Sequence, residues 1–373
     1  MRLCLALLTF IFSLTSNSQK YYLFIGTYTN TGSKGIYVYR FDASTGKAEW
    51  VSNTEGVINP SYLSIAPGGK YLYACTETRT ANAGSVSAFV FNSETGALAF
   101  INKQPSGGDN PVYITVHKSG RWVVNGNYTG GSLSVYPVNA DGSLQAASQV
   151  IQHNGSSVNK ERQDRPHVHS TIFSPSQDYL MVSDLGLDKV MVYRFTATAL
   201  QPLHYEEPLT ANTYPGSGPR HLTFHPNGKY VYLAEEMSGT VMAYTYKEGR
   251  LDSLQQLPAH GDTATAPFGS ADIHTSPDGR FLYVSNRGKE NNIAIFSINQ
   301  QTGKLTIAGY ESTLGEVPRN FIVEPSGKFL LVANQETGNV VVYKRNKKSG
   351  LLQPMQQQIK VPLPTCLQML RVK

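Results

Sequence analysis

Short runs of alternating apolar and polar residues are separated by turn residues along nearly the whole chain, and the alternation has a period. The turn in Ala66-Pro67-Gly68-Gly69-Lys70 leads into Tyr71-Leu72-Tyr73. The same sequence of turn and aromatic-aliphatic run returns at Lys118-Ser119-Gly120-Arg121, Pro175-Ser176-Gln177-Asp178, Pro226-Asn227-Gly228-Lys229, Pro277-Asp278-Gly279-Arg280 and Pro325-Ser326-Gly327-Lys328. The steps between copies are 51, 57, 51, 51 and 48 residues. Each copy has a short alternating strand ahead of the turn, and a further strand after it at 84–91, 131–137, 189–195, 239–246, 292–298 and 338–343. Strands spaced this regularly between Gly, Pro, Asn and Asp predict β-hairpins.

Four short strands in about 50 residues make one propeller blade. Six copies are complete, and the remainder is divided between the two ends. Residues 21–50 have the later strands of a blade but no first strand, and residues 363–370 read as a first strand with nothing after them. Joining the two makes a seventh blade and removes the sheet edges that an open propeller would expose. The expectation is an all-β, seven-bladed β-propeller forming one domain over residues 20–373, its last blade closed by N- and C-terminal strands.

The first 19 residues break the pattern. Arg2 precedes the apolar run Leu3 to Leu14, which gives way to Thr15-Ser16-Asn17-Ser18-Gln19. A positive start, about a dozen apolar residues and a small-residue exit describe a secretory signal peptide. The run falls short of the roughly 20 residues that span a bilayer. Cleavage between Ser16 and Lys20 would leave a periplasmic or secreted protein; the alternative is a buried N-terminal strand. Beyond this segment only Cys75 and Cys366 remain. Neither sits in a CxxC pair, so buried free thiols are expected rather than a zinc or redox site.

Composition narrows the picture a little further. The chain is 40% hydrophobic and 16% charged, with 22 Tyr and 33 Gly, which suits a turn-rich β protein and not a disordered one. Its formal charge of +6 is scattered, with no basic stripe of the kind nucleic acid requires.

The repeat register then isolates the chemistry. Inner strands line a propeller's channel, and the second strand returns antiparallel, so the start of one and the end of the other share a face. At the start of the first strand the copies carry Ser61, Val112, His169, Arg220, Ala271 and Arg319. At the end of the second they carry Glu77, Tyr128, Leu185, Glu236, Arg287 and Gln335, preceded by Thr76, Asn127, Asp184, Glu235, Asn286 and Asn334. Charges near the axis are costly unless they pair or meet a ligand. Guanidiniums outnumber carboxylates here, which fits an anionic ligand, and His169 could move protons near neutral pH. A polar plug in which these groups only satisfy one another is the bland alternative. His167 lies on the same strand face as His169, but no third ligand follows, so no metal or other cofactor is expected. His221, His225 and His274 read as structural hydrogen-bonders. Tyr128-Thr129-Gly130-Gly131-Ser132 reads as a strand turn and not a phosphate loop, since no helix follows it.

Gly218-Pro219-Arg220-His221, Pro166-His167-Val168-His169-Ser170, the stretch from Ala271-Asp272-Ile273-His274 to Arg280, and Pro318-Arg319-Asn320-Phe321 together resemble the seven-bladed lactonase propellers. That group includes propeller-type 6-phosphogluconolactonases and fungal 3-carboxy-cis,cis-muconate lactonising enzymes. The likeness runs from Tyr21 to the last strand. It implies His169, Arg220, Glu236 and Arg287 as catalytic residues, with Glu235 leaving the Glu register open by one. Arg319, His167, Asp184, Tyr128, Glu77 and Gln335 complete the expected substrate-binding set. The expected activity is hydrolysis of an anionic sugar lactone, with His169 or Glu236 as general base. A lactonising cyclase acting on an unsaturated dicarboxylic acid and a non-enzymatic periplasmic ligand- or protein-binding propeller are the alternatives. An export signal sits oddly with a cytoplasmic phosphogluconate pathway and points to another sugar or uronic-type lactone.

Overall fold

The computed structural model describes residues 19–372; the expected signal peptide lies outside the described residues apart from Gln19. Seven antiparallel sheets follow one another around a ring. Six are consecutive in sequence, and the seventh combines Pro364–Arg371 as its inner strand with Lys20–Thr27, Ile36–Asp42 and Lys47–Thr54. That closure pairs Tyr21 with Arg371 through Thr27 with Pro364, as the two sequence fragments implied. One blade departs from four simple strands. Its outer edge is split into Leu203–Tyr205 and Ala211–Asn212, both paired to Lys189–Phe195, with the 3-10 turn Glu207–Leu209 between them.

Burial falls off radially along each blade and explains the strand sequences. Second strands such as Tyr230–Glu235, Phe281–Asn286 and Phe329–Asn334 are buried along their whole length. Outer strands such as Arg250–Pro258 are almost entirely exposed or half-buried. The cores lie between blades. Tyr232, Ala234, Val241 and Ala243 of one blade pack with Ile273, Leu282, Val284 and Phe296 of the next. Burying apolar surface in this way contributes about 25 cal/mol per Å².

A tyrosine repeats as the tie between neighbouring blades. The hydroxyls of Tyr73, Tyr232 and Tyr283 donate to the carbonyls of Gly142, Gly303 and Gly350 in the next blade's outer turn, at 3.1, 2.9 and 2.8 Å. These glycines have φ of 84°, 72° and 77°. A Cβ on any of them would lie 2.3 Å from the ring of Tyr71, Tyr230 or Phe281, so only glycine lets the blades approach this closely. Cys75 and Cys366 are buried free thiols. Among the described residues no helix is long and apolar enough to cross a membrane.

Candidate active site

One backbone device, used in every blade, builds the mouth of the channel. Each inner strand opens with a bulge: the ladder skips from Val168 to Ser170, from Pro219 to His221 and from Pro318 to Asn320. The skipped residues are His169, Arg220 and Arg319, which the bulge leaves unpaired and re-aims. Facing them, the N–H of the residue following each second strand donates to the carbonyl just ahead of the inner strand. Glu77 bonds Asn59, Tyr128 bonds Asn110, Leu185 bonds His167, Glu236 bonds Gly218, Arg287 bonds Gly269 and Gln335 bonds Val317, all at 2.7–3.1 Å. In the closing blade Tyr28 bonds Leu363 at 3.1 Å, so Tyr28 is the seventh member of this set. Val317 and Leu363 hold left-handed φ values of 56° and 42°, which cost residues of this kind about 1–3 kcal/mol each.

The device brings His169, Arg220 and Arg287 onto one carboxylate, and Arg162 joins them from a segment outside the repeat. Glu236 accepts from Arg220 Nε at 2.9 Å and Arg287 Nη2 at 3.1 Å on Oε2, and from Arg162 Nη2 at 2.8 Å on Oε1. His169 Nε2 stands 3.7 Å from Oε2. Burial pushes the Glu236 carboxyl upward, but Arg287, Arg220, His169 and Arg162 outweigh it and hold it well below the usual carboxylate range. Burial, then Arg220 and His221, hold the His169 imidazole well below its ordinary value, so it is neutral at physiological pH. Its Nδ1 has no hydrogen-bond partner. Arg220 is 1% exposed and brought down to about 10 by burial and by Arg287, which leaves it charged at neutral pH.

Beneath this layer Asp272 acts as a hub. It accepts from His221 Nδ1 at 2.8 Å and His274 Nε2 at 2.9 Å, and also from Asn320. The Arg220 guanidinium lies 3.3 Å from both His221 ring nitrogens. Of the histidines expected to be structural, His221 is thus the floor under Arg220 and His274 braces Asp272, while His225 bonds Gly279 O at 2.8 Å.

On the other side of the mouth Arg319 pairs with Glu77 at 3.5 Å, and Tyr28 donates to Glu77 at 2.7 Å. Gln335 lines the same cleft. Tyr128 stacks on His167, with ring centroids 4.5 Å apart, and receives Arg162 at 3.2 Å. His167 Nδ1 is engaged by the Tyr128 carbonyl at 2.9 Å.

Asp184 does not belong with them. It is fully buried, takes His153 Nδ1 at 2.6 Å, and accepts the N–H groups of His167 and Gly186 at 2.7 and 3.0 Å. Strand alternation turns it away from the mouth and toward His153 of the preceding blade, so it holds the loop that carries His167. The same alternation settles the Glu register, because Glu235 accepts from Thr240 and Gln256 within its blade. Among the described residues no cluster of three or more His, Cys, Asp or Glu could hold a metal ion.

Sequence reasoning missed Arg162, Tyr28 and the hub role of Asp272. Arg162 sits in the segment between Gln149–Gln152 and Val168–Phe173. The 57-residue step was its only trace. Tyr28 needed the seventh blade to be threaded through the register.

Residues 22–369 match the lactonase family of seven-bladed β-propellers. A 6-phosphogluconolactonase of Formosa agariphila is 41% identical over 93% of this chain and 99% of its own length. That of Bacillus subtilis is 35% identical over 94% and 99%. A solved structure titled a periplasmic gluconolactonase, from Pseudomonas aeruginosa, superposes with a TM-score of 0.89 at 37% identity, covering 95% of this chain and all of the other. A ring of seven bladed sheets and likeness of this extent along the chain give one conclusion: the chain belongs to the seven-bladed β-propeller lactonase family.

Proposed function

We propose that the protein hydrolyses a sugar lactone at the Glu236 centre. The observation that carries this is the charge balance of the mouth. Among the described residues Arg162, Arg220, Arg287 and Arg319 form ion pairs only with Glu236 and Glu77, beside a neutral histidine. Two guanidiniums in surplus suit the oxyanion of the tetrahedral intermediate, the carboxylate it becomes, and any anionic group on the sugar.

In this reading His169 takes the proton of the attacking water as the water oxygen bonds to the lactone carbonyl carbon. Arg220 and Arg287 stabilise the oxyanion. Collapse breaks the bond to the ring oxygen, which receives the proton back from His169 and leaves as the free hydroxyl. Glu236 serves as the anchor that orients three guanidiniums, since a carboxyl held that low is a poor proton acceptor. The apolar run behind Arg2, with the relative titled periplasmic, supports export of the protein. The mass of the mature N-terminus from cells checks that part.

Proton release from a panel of sugar lactones, with and without phosphate, tests the activity. Turnover that disappears in Arg220→Ala while the melting transition persists is the expected result. A folded wild type silent across the panel would sink the proposal.

A further inference from the structure

The cleft beside Arg319 bears on what the lactone ring is attached to, a question that rests on the hydrolase reading of the Glu236 centre. The cleft encloses about 660 Å³, within the roughly 300–1,000 Å³ that takes a ligand well beyond a single small ring. It is continuous with the catalytic centre through Arg319, which also lines the throat shared by Arg220 and Ser61.

Its chemistry differs from that of the Glu236 centre. The charges of its lining cancel, with Arg79 and Arg319 against Glu77 and Glu336. Much of the rest is amide and hydroxyl, from Asn30, Asn59, Asn110, Gln335, Thr31 and Thr78. A phosphate placed here would find no surplus cation and would face two carboxylates. A hydroxyl would find acceptors: the two carboxylates and Asn110 Oδ1, which is buried without a hydrogen-bond partner in a side chain whose residue is only 9% exposed. A buried acceptor left unmade in the free protein is a place kept for a donor, and sugar hydroxyls are donors where phosphate oxygens are not.

We infer that this cleft is a neutral sugar subsite, and that the substrate is a lactone carried on at least one further sugar unit. The lactone end sits at Arg220 and Glu236, and the attached unit lies against Asn110 and Gln335.

The experiment compares kcat/KM for a monosaccharide aldonolactone, its 6-phosphate and the lactone of a disaccharide aldonic acid. The disaccharide lactone is expected to exceed the monosaccharide by about tenfold, through KM, a difference of about 1.4 kcal/mol. Asn110→Ala and Gln335→Ala are each expected to bring that ratio toward one. The ratio does not depend on the fraction of protein folded, so a destabilised variant still reports. Equal values for the two unphosphorylated lactones, a ratio unmoved by both substitutions, or a phosphate that helps more than the second sugar would each overturn the subsite while leaving the hydrolase. Silence toward all three lactones would remove both.

Discussion

Glu235 and Glu236 are neighbours in sequence, both buried, and opposite in character. Glu235 is satisfied inside its blade by Thr240 and Gln256, and burial raises its pKa. Glu236 is satisfied by guanidiniums that lower its pKa, Arg220 from its own blade and Arg162 and Arg287 from elsewhere. The other blades repeat the contrast. Asn127, Asn286 and Asn334 bond Ser132, Asn292 and Asn339 at the start of their own third strands, and the carbonyls of Ser106, Ala259 and Thr313. The residues after them, Tyr128, Arg287 and Gln335, turn to the mouth. Two rings of polar residues one position apart therefore do different work. Groups held by neutral partners at the strand ends lock the fold, whereas groups held by charged side chains at the mouth can exchange those partners for a ligand.

Substitutions in each ring test that division of labour. Arg220→Ala should lower kcat by about 10²–10³-fold, the usual loss for one preorganised oxyanion donor, with the unfolding midpoint little changed. A large loss of stability with turnover per folded molecule intact would put Arg220 in the locking ring instead. Asp184→Asn should do the reverse. It removes the charge from bonds to His153 and three backbone N–H groups and should cost about 2–3 kcal/mol in urea unfolding, with kcat changed by less than about threefold. Arg162→Ala removes the one guanidinium on Glu236 that comes from outside the repeat register. It should raise KM by about tenfold, or 1.4 kcal/mol, and leave kcat nearly alone; an equal fall in kcat would make Arg162 part of the chemistry.

The mildest change is in pH dependence. Because His169 is held below the ordinary value of about 6.5, kcat/KM should stay level as pH falls through 6.5 and decline only at lower pH. An acid limb at or above 6.5 would assign the base elsewhere. Stability should show a related window. His221 is brought down to about 4 by burial and Arg220, so below about 6.5 the unfolded chain takes up a proton that the folded one refuses. Its contribution is whole above that pH and is lost progressively as pH falls toward 4, which urea midpoints across the range will show.

Blade number, closure and register are all legible in the sequence because each rests on local signals, namely turn residues, period-two strands and a constant step. Arg220, Arg287 and Glu236 come out of the same register. Asp184 is hard to place because a polar residue at a strand end looks alike on either face; only its partners, His153 and neighbouring backbone N–H groups, show which way it turns. Arg162 is invisible because it lies outside the repeat, in a segment with no periodicity to place it. The Asp272 hub joins residues 48 and 51 positions apart, a contact set by the ring as a whole.

The closing blade also bears on how the protein is made. Its inner strand, Pro364–Arg371, contacts the inner strands on both sides and pairs with Lys20–Thr27, which leaves the ribosome first. Six blades can form vectorially during synthesis, yet the ring cannot close, nor the channel mouth be complete, until residues 364–371 have been made. Until then Lys20–Thr27 presents an unpaired edge, the feature that invites pairing with another chain. For a protein threaded outward through a membrane, assembly would therefore become a race between late closure and early capture of that edge.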